Sequence, residues 1–172
     1  MVQCTSRVVL SVSLAAMLFG CSSAAGPGRC RVLVVLQASK DANPARTGES
    51  LPTTVRFYQL KEVTNLRKAT YEDLWTHAPE VLGADLSDVQ EAVVYPADRM
   101  TQVLPVKDDA VYLAAAAFFR SPEGVTWRTY ATLPELGTVK RCAEDKPGGP
   151  YYFAISGTSI RGSREPPPVS AK

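Results

Sequence analysis

Short apolar runs alternate with polar breaks along this chain, and most runs are too short for helices. Arg31 to Ala38 (RVLVVLQA) is rich in Val and Leu and predicts a buried strand. Val55 to Leu60 (VRFYQL) alternates, which puts Val55, Phe57 and Gln59 on one face of a second strand. Glu91 to Tyr95, Met100 to Val106, Ala110 to Phe119, Thr126 to Leu133 and Tyr151 to Ile160 predict five more. Their breaks are Pro96-Ala97-Asp98, Lys107-Asp108-Asp109, Ser121-Pro122-Glu123-Gly124 and Lys146-Pro147-Gly148-Gly149-Pro150, all rich in turn-forming residues. The alanines Ala114 to Ala117 favour helix by propensity. Their neighbours Val111, Tyr112, Phe118 and Phe119 favour a central strand, which is the expectation adopted.

Lys61 to Gly83 is the one helical stretch. Thr70 stands three residues before Asp73, the spacing of a capping arrangement with a carboxylate at the positive helix end. Tyr71, Leu74 and Trp75 share a helix face and predict a cover over one end of a sheet. Pro79 divides the stretch into two short helices, and Gly83 stops the second. Short β-rich runs with regular turn punctuation predict a mainly β fold. It is a two-sheet antiparallel sandwich with a short helical insertion after the second strand. Ser39 to Thr54 is a long polar loop broken by Asn43-Pro44, Thr47-Gly48 and Leu51-Pro52.

The two ends of the chain have different patterns. Arg7 precedes an apolar run, Val8 to Phe19, that is too short to span a membrane as a helix. It closes on Leu18-Phe19-Gly20-Cys21, the pattern of a processed signal whose Cys accepts lipid. Residues 1–20 are therefore expected to be cleaved, with Cys21 the lipidation site and 21–29 a small, Gly- and Pro-containing tether. Stable anchoring takes about two acyl chains at roughly 0.8 kcal/mol per buried CH₂. An ordinary secretory signal cut near Ala24 or Ala25 is the alternative. Arg161 to Lys172 (RGSREPPPVSAK) reads as a disordered tail; the folded domain is assigned to 30–162 and the tail proper to 163–172.

Composition narrows the function. Removing 20 of the 172 residues leaves 152, which suits one domain. The 19 basic and 17 acidic residues nearly cancel, and the mature charge is +1, so nothing points to nucleic acid or a polybasic lipid surface. Cys4 leaves with the signal and Cys21 takes lipid, so Cys30 and Cys142 remain as a candidate disulfide for an oxidising compartment. Two unpaired thiols are the other possibility. Closing a loop of that length would stabilise by at most ~5 kcal/mol on the chain-entropy model.

Candidate chemistry is sparse. Two distant Cys and the single His77 do not match zinc spacing, and no metal or cofactor is expected. Gly157-Thr158-Ser159-Ile160-Arg161 fails the nucleophile-elbow pattern at its last position, and no phosphate-cradling glycine motif occurs. Asp108 and Asp109 sit in a predicted turn. The expectation is a protein that is not an enzyme. Ile160-Arg161-Gly162-Ser163 is similar to the terminal Tyr-Arg-Gly-Ser of transthyretin-related hydrolases, but it lacks the Tyr, and those enzymes need more than one histidine. A hydrolase is thus the lesser alternative, for which a buried polar cluster around Arg161 and Ser163 would be the discriminator. A binding module or pilotin-like factor of another envelope machine is the nearer one.

Several pieces in order resemble the type VI secretion lipoprotein family known as TssJ, VasD or SciN. They are Cys21 of the lipobox, the first strand Val32 to Ala38, the loop with Asn43-Pro44 and Gly48, and Val55-Arg56-Phe57-Tyr58-Gln59-Leu60. Tyr71, Asp73 and Leu74, then Leu82-Gly83, and finally Ala116-Phe118-Phe119-Arg120 leading to Trp127-Arg128 complete the set. Ala42 departs from the family, where a Leu is common. The resemblance implies a transthyretin-like sandwich with an added helical segment. It implies an outer-membrane lipoprotein facing the periplasm that binds the periplasmic C-terminal region of the inner-membrane protein TssM and anchors an envelope-spanning complex. It also implies that the loop between the first two strands binds the partner.

Geometry agrees with that role. A first strand of eight residues separates tether from loop by about 26 Å. Asn43, Pro44, Arg46, Gly48 and Glu49 are the candidate contacts. With strands alternating up and down, Pro96 to Arg99 and Arg120 to Gly124 are expected at the loop's end. Shortening Asp41 to Leu51 is expected to abolish binding and leave the fold intact.

Overall fold

A computed structural model describes residues 30–133 and 148–167. The signal, the tether with Cys21, Cys142 and residues 168–172 of the tail lie outside the described residues. Eight strands form two four-stranded sheets. They are β1 (Arg31–Ala38), β2 (Thr53–Leu60), β3 (Leu86–Val94), β4 (Arg99–Pro105), β5 (Tyr112–Phe118), β6 (Arg128–Thr132), β7 (Gly148–Ser156) and β8 (Ser159–Ser163). One sheet has the order β4-β1-β7-β8 and the other β3-β2-β5-β6.

The sandwich is therefore as expected, with three differences. It is not purely antiparallel, because β1 and β7 run parallel. A parallel neighbour needs a crossover of about a dozen residues or more, and residues 133–147 separate β6 from β7. The run expected as one strand, Tyr151 to Ile160, is a hairpin closed by the Ser156–Ser159 pair. Gly157, at φ 54°, takes the first central position that a type II′ turn reserves for glycine. Finally, Arg161, Gly162 and Ser163, expected in the tail, continue β8. Pairing with Tyr152, Phe153 and Ala154 satisfies their backbone, which composition alone does not reveal.

The alanine run is a strand because β5 is buried on both sides. On the inner face, Ala115 lies opposite Phe57 and Ala117 opposite Val55, and Phe57 meets Phe153 of the other sheet with ring centroids 5.4 Å apart. On the outer face, Ala114 and Ala116 lie opposite Tyr58 and Arg56, beneath the helical insertion. Small side chains let a sheet and a helical layer approach one strand at normal packing density. Ala115→Leu adds three carbons where there is no room. It should destabilise by about 1–3 kcal/mol in chemical denaturation without changing the denaturant slope.

The insertion is three short helices, not two: α1 (Thr64–Lys68), α2 (Tyr71–Thr76) and α3 (Ala78–Leu82), followed by a 3₁₀ turn at Gly83–Asp85. The expected capping box is present at α2. Thr70 Oγ1 accepts from the Asp73 N–H at 3.1 Å, and Asp73 Oδ2 accepts from the Thr70 N–H at 2.8 Å. These bonds hold the Asp73 carboxyl below its usual range. Pro79 lies in the first turn of α3, where a missing N–H leaves nothing unpaired; the break falls at His77.

Helices this short are not stable alone, and two arginines fasten them to the sheet. Arg56 of β2 donates to the carbonyls of Leu74 and Trp75 at 2.9 and 3.0 Å, closing the end of α2. Arg128 of β6 donates to the carbonyls of Ala69 and, at 2.7 Å, Arg67, closing the end of α1. Each sets a cation on the negative helix end.

Candidate functional site

The first strand sorts the molecule into two ends. At its start, the Cys30 carbonyl accepts from Val106 N–H at 2.6 Å, and Cys30 is disulfide-bonded. The β4–β5 connection lies at this end, and Lys61 pairs with Asp109 at 3.0 Å. At the finish of β1, four connections meet. Ala38 N–H bonds Asp98 O at 2.9 Å and Ala97 N–H bonds Ser39 O at 3.2 Å, which brings in the β3–β4 turn. Asn43 N–H bonds Gly157 O at 2.8 Å, bringing in the β7–β8 turn. Arg120 N–H bonds Asn43 Oδ1 at 2.8 Å, bringing in the β5–β6 connection. Pro96 to Arg99 and Arg120 thus lie at the loop's end, as the alternation of strands implies. The Gly157 turn joins them unannounced, because its hairpin was hidden inside an apolar run.

The connection between β1 and β2, residues 39–52, is two residues shorter than the sequence implied, and hydrogen bonds order it. Asn43 is only 4% exposed and stands at φ 52°, a left-handed conformation that Asn tolerates better than most residues. Its side chain donates to Pro52 O at 2.9 Å while accepting from Arg120. Its carbonyl accepts from Leu51 N–H at 3.1 Å. Beyond this knot the loop closes as a small hairpin, with a Pro44–Ser50 bridge. Gly48 N–H bonds Ala45 O at 2.9 Å, and Ala45 N–H bonds Glu49 O at 2.7 Å. Gly48, at φ 90°, supplies the positive angle that a three-residue hairpin loop needs.

Five candidate contacts divide accordingly. Pro44, Arg46, Gly48 and Glu49 are exposed on the hairpin, and Thr47 Oγ1 donates to Glu49 at 3.2 Å. Asn43 is 4% exposed with both polar atoms of its amide used, so it acts as a strut and differs from the four exposed candidates. The expectation that shortening Asp41 to Leu51 spares the fold does not fit this placement, since the cut removes the strut and its bonds to the β5–β6 and β7–β8 connections.

Beside the hairpin lies a shallow cleft of about 340 Å³. Asn43 contributes to it, together with Tyr71 and Trp75 of α2 and Phe118, Phe119 and Arg120 at the end of β5. Tyr71 donates to Phe119 O at 2.6 Å, and burial pushes its phenol up to about 12, so it stays a neutral donor near neutrality. Trp75 was expected to cover a sheet; it does so with one face and leaves 48% of its surface exposed.

The residues of the hydrolase alternative are placed differently. Arg161 and Ser163 are exposed on β8, not gathered in a buried polar cluster. Among the described residues, no group of His, Cys, Asp and Glu could hold a metal ion, and no helix is long and apolar enough to cross a membrane.

Residues 31–145 match the family model described as Type VI secretion lipoprotein, VasD, EvfM, TssJ. The chain belongs to this family. Solved structures agree on the fold. The T6SS lipoprotein TssJ1 from Pseudomonas aeruginosa is 24% identical over 81% of this chain and 99% of its own, with a TM-score of 0.68. Serratia marcescens Lip, described as a membrane-bound component of the type VI secretion system, is 22% identical over 77% of this chain and 96% of its own, with a TM-score of 0.69. A chain of a structure described as a type VI membrane complex is 25% identical over 77% of this chain and 97% of its own, with a TM-score of 0.66. A comparison with curated protein sequences finds no match.

Proposed function

We propose that this type VI secretion lipoprotein is held in the outer membrane through Cys21 and binds the periplasmic C-terminal region of a TssM-like inner-membrane protein. The loop of residues 39–52 makes the contact, and the pair anchors the envelope-spanning assembly. One observation carries the reading: the tether enters at Cys30, while the exposed hairpin sits at the opposite end of β1. Lipid and partner therefore occupy opposite ends of one rigid strand. The eight residues Ser22 to Arg29 reach less than about 30 Å, which keeps the domain near its membrane. Ser22, and not Asp, after the lipidated Cys favours the outer membrane. A Cys30–Cys142 disulfide would tie the entry of the tether to the connection that leads into β7. This placement fits a structural role.

The test is a calorimetric titration. The complete mature chain carrying Cys21→Ser is titrated with the periplasmic C-terminal region of the TssM-like protein from the same organism. Saturable binding at micromolar affinity or tighter is expected. A folded domain that gives no binding would overturn the reading.

A further inference from the structure

A contact made by the hairpin alone is too small. Specific interfaces take about 20–30 residues a side, and the hairpin offers five at its tip. A partner seated on it must also cover its surroundings. Two of these are polar turns, at Pro96 to Arg99 and at Gly157-Thr158. The third is the aromatic cleft, joined to the hairpin through Asn43.

Trp75 in that cleft is held in place without being covered. Its ring lies 4.9 Å from Phe118 by centroids, and the Arg56 guanidinium lies 5.2 Å from it. Arg56 is itself fixed by Glu91 at 2.8 Å and by the Leu74 and Trp75 carbonyls. Tyr71 is packed edge-on against Phe118 and Trp127, at 5.6 and 5.1 Å. An exposed aromatic whose rotamer is already fixed loses little entropy on binding, which is why Trp, Tyr and Arg dominate interface energetics. Arg120, at the rim, is exposed and makes no ion pair among the described residues. Glu91, which holds Arg56 behind this face, is already used by that pair.

Resting on the function proposed above, we infer that this cleft receives an apolar side chain of the TssM-like partner, with an adjacent partner carboxylate on Arg120. Apolar walls with a cationic rim fit an apolar residue next to Asp or Glu, and they repel a basic segment. The helical insertion is then part of the docking surface as well as a cover for the sheet.

The same mature chain, titrated with the same partner region, tests this. Trp75→Ala is expected to weaken binding by about 10- to 30-fold, as hot-spot truncations do. Arg120→Glu is expected to weaken it similarly and to invert the response to salt. Val111→Ala, which alters an exposed apolar residue at the opposite end of the sandwich, should bind as the parent does. Thermal melts of each variant show whether the fold survives. Should Trp75→Ala misfold, the parent labelled with 5-fluorotryptophan decides. It has two tryptophans, and Trp127 is 3% exposed, so the partner should shift the Trp75 resonance. Unchanged affinity in both cleft variants, or an unmoved Trp75 resonance, overturns the cleft while a binding parent upholds the proposed function. A parent that does not bind overturns both.

Discussion

Replacing Ala45 to Glu49 by Ala-Asn-Gly-Ala will abolish partner binding, by at least about 100-fold, and leave the domain folded. Ala45 N–H already bonds the Glu49 carbonyl, so a two-residue turn between these same two positions closes the hairpin and keeps the Pro44–Ser50 register. The variant loses Arg46, Gly48 and Glu49, which are exposed and make no contact with the sandwich that a melt would register. It keeps Asn43 and the three bonds of its side chain and carbonyl. The melting temperature should stay within a few degrees, since surface changes away from buried features fall near ±0.5 kcal/mol. Parent-like affinity from this variant would remove the hairpin from the interface. The narrower deletion is needed because a cut through 41–51 would confuse lost contact with lost fold.

Asn43→Ala acts in the opposite way, on the fold first. It leaves the Arg120 N–H and the Pro52 carbonyl without their partner at a site that is 4% exposed. Each buried group so orphaned costs about 1–3 kcal/mol. Alanine at φ 52° adds roughly 1–2 kcal/mol, because its Cβ crowds the following carbonyl. Both bonds are only partly buried, so the lower part of the sum, about 3–5 kcal/mol, is expected in urea denaturation. Asn43→Asp separates the two bonds: it still accepts from Arg120 but sets a buried carboxyl oxygen against the Pro52 carbonyl, so its loss should grow as pH rises and the carboxyl ionises. Equal stability of the alanine variant and the parent would mean that the knot does not hold this end. The two predictions together divide the loop into a strut that sets geometry and a tip that touches the partner.

Parts of this arrangement were legible in the residues. The Thr70 and Asp73 spacing gave the helix start, because a capping box is a local device complete within four residues. Arg31 to Ala38 was legible as a strand through its apolar run. The Gly157 hairpin was missed although Ser156-Gly157-Thr158-Ser159 carries turn residues, since an apolar run on either side outweighed one dipeptide. The first five residues of β3, Leu86 to Gln90, were missed because a strand at a sheet edge mixes polar and apolar positions. Trp75 was assigned to cover, which its spacing supports. Only its position at the end of the sandwich leaves half of it exposed.

By itself the sequence determined what is local and periodic: the strands, the helix cap, the two-sheet class and the signal pattern ending at Cys21. Tertiary structure alone decided what depends on contacts distant in the chain. The parallel seat of β7 beside β1 is one such outcome, and the burial of the alanine strand on both faces is another. The use of Arg56 and Arg128 as helix clamps and of Asn43 as a knot completes them. For these three polar side chains the physical reason is the same. A polar side chain's role depends on which orphaned backbone group folding brings within about 3 Å of it, and for Asn43 that partner is Arg120, 77 residues away.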